Sequence, residues 1–195
     1  MIYEQFAKPS GIFGKLAGQF MARENNHLND WTQSFLSIEE GDRVLEVGFG
    51  PGDGLVKAAC VKGVTIYGVD PSETMVETVL KKLRKYENPN QIGIFHGEAH
   101  DLSRFQHSLD KVYAVNNVSF WHAPVETLSH IRSLIRSNGR IALTLLPHEK
   151  GADDDTTEVL GGQLRSMLIK AGFSEVQVHF KDENPNKAVC VVGMA

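Results

Sequence analysis

Three glycines at alternate positions, set between two acidic residues, form the strongest chemical pattern in this sequence. Glu46 precedes Gly48 in the segment VLEVGFGPG, and Gly50 and Gly52 complete the alternation. Asp70 ends the apolar run YGVD twenty residues after Gly50. Glycine adopts a positive φ and lets a ligand approach the main chain, and a following helix offers free N–H groups. Because a carboxylate after the next strand can bind a ribose diol, the spacing predicts a nucleotide-like cofactor site.

The glycine spacing differs from that of dinucleotide-binding oxidoreductases. Their G-x-G-x-x-G pattern would require glycine at position 53 or 55, where this chain has Asp53 and Leu55. None of the four tyrosines is followed four residues later by lysine, so the Tyr/Lys pair of short-chain dehydrogenases is missing as well. An NAD(P)-dependent oxidoreductase is therefore an alternative that the pattern disfavours.

Composition and charge fit one globular domain over residues 1–195. The chain has 42% hydrophobic residues and a net charge of −4, so it can bury a core but has no basic excess for binding nucleic acid. Its two cysteines provide no disulfide framework, and no apolar run approaches the roughly 18 residues of a membrane span. We expect a cytoplasmic protein without stable membrane insertion. Whether it is a monomer or a homodimer stays open.

Apolar strand-like runs alternate with helical periodicity from residue 41 onward. This alternation predicts an α/β fold with a mostly parallel, doubly wound sheet and helices on both faces. The last two strand-like runs follow one another without a helix and predict a hairpin. The expected strands cover residues 43–48, 64–69, 91–96, 111–115, 140–146, 173–180 and 187–192. Helices are expected over residues 53–62 and from 72 to a stop at 88–90, with Leu80 on the apolar face of the second. Two more are expected before the fifth and sixth strands, with Ile135 and Val159 among their apolar residues.

Residues 1–40 form a predicted helical segment ahead of the core at residues 41–195. Their apolar residues recur with helical spacing, which predicts a helix that packs across the mouth of the cofactor site. A lid over the site and a plain packing helix are both consistent with this pattern. The stripe contains Phe13, Leu16, Ala17, Phe20, Met21, Leu28, Trp31 and Phe35.

Several separate motifs resemble those of the class I S-adenosylmethionine-dependent methyltransferases. The chain has E-x-G-x-G-x-G at 46–52 and GVDPSETM at 68–75. LDKVYAVNNVSFW at 109–121 and HIRSLIRSNGRIAL at 130–143 resemble the fourth strand and the next helix-to-strand turn of that family. The resemblance implies a Rossmann-like seven-stranded sheet with strand order 3-2-1-4-5-7-6 and an antiparallel last strand. It also implies methyl transfer from S-adenosylmethionine (SAM), with S-adenosylhomocysteine as the product.

The same resemblance implies a role for each motif residue. The three glycines would line the methionine part of SAM, Glu46 would orient its amino group, and Asp70 would hold the ribose hydroxyls. The remaining implied contacts are Pro71 and Met75 beside the adenine, Glu98 and Ala99 at its amino edge, and Asn116 near the sulfonium.

Chemistry at the methyl group is expected to depend on orientation and on a dry cavity, because the sulfonium donor is already activated. If the acceptor must lose a proton, His122 is the best-placed general base. Phe49 and Trp121 could present ring faces to the cationic sulfur, and core packing is the alternative role for both.

No metal is expected in the site. His96, Glu98, His100 and Asp101 are close in sequence, but alternate residues of a strand point apart and no known ligand spacing is present. The N-P-P-Y type tetrapeptide of amino-methylating nucleic-acid enzymes is absent after strand four, which indicates a small-molecule acceptor. A non-catalytic SAM-binding module and an aminopropyl transferase are two further functions that this type of fold could serve.

Overall fold

The computed structural model describes residues 27–84, 91–103, 105, 108–149 and 151–195. Their strands form a seven-stranded sheet in the order β3-β2-β1-β4-β5-β7-β6. β7 runs antiparallel to both β5 and β6, and the pairs from β3 to β5 are parallel. The predicted strand order and C-terminal hairpin are therefore confirmed. The strands are β1 (Arg43–Val47), β2 (Thr65–Asp70), β3 (Ile92–His96), β4 (Leu109–Val115), β5 (Ile135–Leu145), β6 (Ser174–Lys181) and β7 (Ala188–Met194).

Helices cover both faces of the sheet, as the doubly wound fold requires. On one face, Leu28, Leu55 and Val79 from three different helices pack in a cluster with Val44 of β1. On the other face, the last two helices pack with Leu45 in a second cluster. The helices are α1 (27–34), α2 (Asp53–Ala58), α3 (Glu73–Leu83), α4 (Pro124–Leu134) and α5 (Asp154–Lys170).

Side chains along β1 alternate between the two faces of the sheet, and this alternation fixes the face on which Glu46 lies. Val44 and Leu45 enter opposite clusters, so Glu46 faces the side covered by α1, α2 and α3. Tyr113 of β4 is the register partner of Glu46 and faces the same side. β2 lies on one side of β1 and β4 lies on the other, so the chain changes the side on which it adds strands at β1. Ligands of such sheets bind at the carboxyl ends of the strands beside this point.

Several helical predictions need correction. Val159 is expected on the inner face of its helix but is 61% exposed, and Ile135 is expected in a helix but begins β5. The second helix ends at Ala58 and not at residue 62, because Cys60 and Val61 make tighter i→i−3 bonds before Gly63 turns the chain. Helical spacing places Leu80 on the buried face of the next helix, yet this side chain is 48% exposed. The predicted end of that helix at 88–90 lies outside the described residues, and so does the apolar stripe from Phe13 to Met21.

Candidate active site

A cleft opens at the carboxyl ends of the central strands, with a volume of about 240 Å³. The segments after β1, β2, β3 and β4 line it, and one residue of α1 joins them. The structure therefore brings the predicted cofactor residues together from distant parts of the sequence. The predicted residues that line the cleft are Glu46, Gly48, Phe49, Gly50, Asp70, Pro71, Met75, Glu98, Ala99 and Asn116.

The first loop glycine is required by a close contact. Gly48 has φ 69° and donates its N–H to the carbonyl of Val69 at 2.8 Å, which extends the pairing of β1 with β2. A Cβ at this position would stand 2.5 Å from Nδ2 of Asn117. Only glycine leaves room for that side chain. Gly48 also lines the cleft, so the loop presents its main chain there.

Gly52 has a different setting from its two neighbours. It does not line the cleft but stands at the N-terminal cap of α2 with φ 81°. A Cβ there would lie 2.4 Å from Cγ2 of Val79, so glycine lets α2 pack closely against α3. Its place in the motif is explained by this packing, and the methionine contact implied by the resemblance stays a prediction.

Asp70 is held in place by the main chain of two loops. Its Oδ2 accepts the N–H of Gly50 at 2.9 Å, and its Oδ1 accepts the N–H of Ser72 at 2.8 Å. Burial raises the pKa of Asp70 to about 6, although these two hydrogen bonds and the nearby His96 oppose the shift. A carboxylate has about four acceptor positions, so two remain for a ligand. The geometry suits a vicinal diol.

Glu46 belongs to a buried chain of side chains that links β1, β4 and α1. The hydroxyl of Tyr113 donates to Oε2 of Glu46 at 3.0 Å. Gln33 of α1 donates its amide Nε2–H to Oη of Tyr113 and to the carbonyl of Gly54, both at 3.1 Å. Burial raises the pKa of Glu46 to about 8, with Asp70 and Asp53 adding to the rise while the Tyr113 hydroxyl opposes it. A cationic ligand group would favour the ionised form.

Asn117 connects the two loops beside β1 and β4. Its Nδ2 donates to the carbonyl of Val47 at 2.7 Å and to that of Val115 at 3.2 Å. Its Oδ1 accepts the indole N–H of Trp121 at 3.1 Å. Sequence reasoning missed this residue, although the absent Cβ of Gly48 and the adjacent pair of asparagines were both visible signals. The contact fixes the loops and orients Trp121 at the cleft.

Asn116 turns the chain beside the cleft with φ 55°. Its Oδ1 accepts the N–H of Leu146 at 2.7 Å, and its own N–H donates to the carbonyl of Thr144 at 2.8 Å. The side chain therefore joins the loop after β4 to the segment after β5. The residue lines the cleft, and its contact with a sulfonium stays a prediction.

The loop after β3 lines the cleft on the side away from β4. The N–H of Glu98 donates to Oδ2 of Asp101 at 3.0 Å, which begins a short 3-10 turn and leaves the Glu98 side chain exposed. Ala99 is buried beneath it, and Met75 of α3 is 1% exposed in the cleft wall. Met75 and Ala99 therefore supply apolar surface beside Asp70, which suits a flat aromatic ring.

His122 is exposed and does not line the cleft. It follows a short 3-10 turn at Val118–Phe120, whose residue Phe120 does line it. Phe49 and Trp121 also lie in the wall. Within the described ranges, no three His, Cys, Asp or Glu side chains are grouped so that they could hold a metal ion.

Asn29 and Thr127 complete the wall of the cleft, and no sequence motif indicates either of them. Asn29 lies on α1, the helix whose Gln33 contacts Tyr113, the hydrogen-bond partner of Glu46. Thr32 of the same helix is anchored by a 2.6 Å hydrogen bond to Thr144 of β5. The described part of the N-terminal segment thus reaches the cleft, although nothing in its sequence pattern identified Asn29.

Comparison with known proteins identifies the family. A model described as "Methyltransferase domain" matches residues 44–139. The uncharacterized methyltransferase YdaC of Bacillus subtilis is 32% identical over 178 residues, covering 90% of this chain and 95% of YdaC. The 27-O-demethylrifamycin SV methyltransferase of Amycolatopsis mediterranei is 24% identical, covering 80% of this chain and 58% of the relative.

A solved structure has the same fold at low sequence identity. Phosphoethanolamine N-methyltransferase 2 of Haemonchus contortus, in complex with S-adenosyl-L-methionine, superposes with a TM-score of 0.70 at 16% identity. The match covers 86% of this chain and 52% of that one, so this chain spans about half of the longer enzyme. The likeness to YdaC covers nearly the whole of both chains, and the protein therefore belongs to the methyltransferase family.

Proposed function

We propose that the protein transfers a methyl group from SAM to a small-molecule acceptor. One observation carries the proposal: the N–H of Gly50 donates to the Asp70 carboxylate, so the glycine loop and the acid that were predicted to bind the cofactor are in direct contact. The family membership supports the same reaction.

The cleft has two polar ends, which we name by their acids. The residues from the end of β2 and after β3 form the Asp70 end: Asp70, Pro71, Met75, Glu98 and Ala99. The residues of α1, of β1 and its loop and of the loop after β4 form the Glu46 end: Asn29, Glu46, Gly48, Asn116 and Asn117. SAM also has two polar ends, a ribose diol beside adenine and an amino acid. The acceptor positions of Asp70 suit the diol, and the buried acid at the other end suits an ammonium group. The residues present therefore fit the cofactor.

Bound SAM supplies a methyl group that its positive sulfur has already activated for displacement. The protein has to hold the acceptor in line and to exclude water. Phe49, Phe120 and Trp121 line the cleft and supply apolar ring surface for both purposes. Asn117 fixes the indole of Trp121, so this part of the wall is oriented before any ligand binds.

Removal of a proton from the acceptor is assigned to His122 as a prediction. The residue is exposed, so it would act from the rim and pass the proton to water. A methyl acceptor that carries no acidic proton at the reacting atom would not need it. If His122 is the base, His122→Ala should slow methylation of acceptors that must lose a proton and leave methylation of the other acceptors unchanged. An equal effect on both kinds of acceptor would contradict this role.

A small molecule is the proposed class of acceptor. The net charge of −4 disfavours nucleic acid, and the rifamycin relative acts on a small molecule. In the part of the chain that the structure describes, no helix is long and apolar enough to span a membrane. A cytoplasmic location and the choice between monomer and homodimer remain predictions.

The test is transfer of a labelled methyl group from SAM to a panel of phenols, alcohols, carboxylic acids and amines. We expect S-adenosylhomocysteine and a methylated product in equal amounts with at least one class. SAM binding without turnover on any acceptor would instead indicate a non-catalytic binding module. Tight binding of NAD(P) with no binding of SAM would indicate an oxidoreductase.

A further inference from the structure

One buried oxygen at the Glu46 end has no hydrogen-bond donor. Asn29 of α1 is 5% exposed and lines the cleft. Its Oδ1 is the buried side-chain atom that lacks any hydrogen-bond partner among residues 27–84, 91–103, 105, 108–149 and 151–195. Leaving a polar atom buried and unpaired is unfavourable, and such atoms in native proteins usually meet water or a ligand. A donor from a bound molecule would satisfy it.

The placement of α1 shows which end of the cleft this oxygen faces. Asn29 and Gln33 are four residues apart and therefore share one face of the helix. Gln33 contacts Oη of Tyr113, and Tyr113 contacts Glu46. The shared face thus points at the amino acid end of the cleft and not at Asp70. Asn29 and Glu46 line the same cavity.

We propose that Oδ1 of Asn29 accepts a hydrogen bond from the α-amino group of SAM. This assignment rests on the proposed function and names a residue of α1 as part of the cofactor site. An ammonium group has three N–H donors, so it can bind Glu46 and Asn29 together. The two residues then recognise the amino acid part of the ligand from β1 and from α1.

The remaining polar groups of SAM do not suit this oxygen. Its carboxylate offers only acceptors and cannot satisfy a second acceptor. Its ribose hydroxyls and adenine amino group are assigned to Asp70 and Glu98, which lie at the end of β2 and after β3, whereas α1 contacts β4 and β5 on the other side of β1. The α-amino group is the donor that remains at the Glu46 end.

The proposal predicts a selective loss of affinity. Asn29→Leu keeps the approximate size of the side chain and removes the accepting oxygen. Titration calorimetry should then show at least a tenfold weaker binding of S-adenosylhomocysteine, or about 1.4 kcal/mol. Binding of 5′-methylthioadenosine should change less than about twofold, because this ligand has the same adenosine and sulfur but no amino acid.

A second variant keeps the test valid if leucine disturbs the helix. Asn29→Asp retains an accepting oxygen, so it should bind S-adenosylhomocysteine within about threefold of the unaltered protein. A loss as large as that of Asn29→Leu would overturn the proposal, since it would mean that the amide nitrogen of Asn29 binds the ligand carboxylate. Ser34→Ala is the matched control, because Ser34 is exposed on the same helix, does not line the cleft, and donates its hydroxyl to the carbonyl of Trp31.

The remaining outcomes separate this inference from the proposed function. An equal loss for both ligands, or no loss for either, would overturn the role of Asn29 while the SAM site stands. A variant that binds S-adenosylhomocysteine normally but methylates slowly would assign Asn29 to the acceptor and also overturn the proposal. Failure of the unaltered protein to bind either ligand would remove the proposed function itself.

Discussion

The two ends of the cleft are built in different ways. At the Asp70 end, main-chain N–H groups of Gly50 and Ser72 position the acid, and Ser72 lies only two residues from it. At the Glu46 end, side chains from α1 and β4 position the acid through Tyr113 and Gln33, which are distant in sequence. The first end is therefore set by a local motif, while the second depends on how strands and helices assemble.

This difference has an energetic consequence. Asp70 keeps two hydrogen bonds to its charged form, and its pKa rises only to about 6. Glu46 is more deeply buried, and its pKa rises to about 8. The Asp70 end is thus close to its ionised, binding form at neutral pH. The Glu46 end is favoured in its neutral form until a cation arrives.

The largest effect is expected at the Asp70 end. Asp70→Ala removes the carboxylate for the ribose hydroxyls and leaves the Gly50 N–H without its acceptor. We expect binding of S-adenosylhomocysteine to weaken at least tenfold, since a hydrogen bond to a charged group contributes about 1.5 to 3 kcal/mol. Titration calorimetry measures this loss of affinity. Asp42→Ala is the control, because Asp42 is similarly buried but accepts the N–H of Glu39 in the turn before β1. Equal losses of affinity in the two variants would contradict the assignment.

The next effect concerns the side chain that joins the loops at the Glu46 end. Asn117→Ala leaves the carbonyls of Val47 and Val115 without their donor and frees the indole of Trp121. We expect a loss of about 1 to 3 kcal/mol in unfolding free energy. The melting temperature should fall by about 2 to 4 °C for each kcal/mol. Asn186→Ala, which removes one bond to Pro147, should do less; a reversed order would show that Asn117 does not hold the loops.

A pH effect distinguishes the two acids. The raised pKa of Glu46 favours folding at low pH, and this contribution is lost as pH rises from about 4.5 to about 8. Glu46→Gln should therefore raise the melting temperature of the ligand-free protein at pH 7.5 and weaken ligand binding. Exposed Glu40→Gln should change neither quantity.

The affinity of the unaltered protein should also depend on pH through Glu46. Because the ligand cation requires the ionised acid, binding of S-adenosylhomocysteine should tighten between pH 6.5 and 7.5, by at most about tenfold. The same titration of Glu46→Gln should show a smaller slope. If the affinity of both proteins changes equally with pH, ionisation of Glu46 does not contribute to ligand binding.

The smallest effect tests the long-range support of Glu46. Tyr113→Phe removes one hydroxyl that donates to Glu46 and accepts from Gln33. We expect about a fivefold loss in affinity for S-adenosylhomocysteine, equivalent to roughly 1 kcal/mol. Tyr67→Phe also removes a hydroxyl, one that accepts from Arg43 away from the cleft. If both variants bind alike, the buried chain does not support the site.

The contrast between the two ends also explains what could be predicted. The alternation of strands and helices followed from periodicity, and the strand order followed from the resemblance to the methyltransferase family. The place of Asp70 followed from a motif that acts through the main chain. Tyr113 is an ordinary strand residue in sequence, and only its register with Glu46 gives it a role. The position of Asn29 in the cleft depends on how α1 packs on the sheet, which the sequence pattern does not show. The prediction for Leu80 is wrong because helical periodicity does not show how far a neighbouring element extends.

The most direct measurement is calorimetric titration of the unaltered protein with S-adenosylhomocysteine and, separately, with NAD⁺. The cleft should bind S-adenosylhomocysteine at one site per chain and NAD⁺ at least about a hundredfold more weakly, a difference of roughly 2.7 kcal/mol. Comparable binding of both ligands, or preference for NAD⁺, would contradict the central claim that Asp70 and Glu46 mark the two ends of a SAM site.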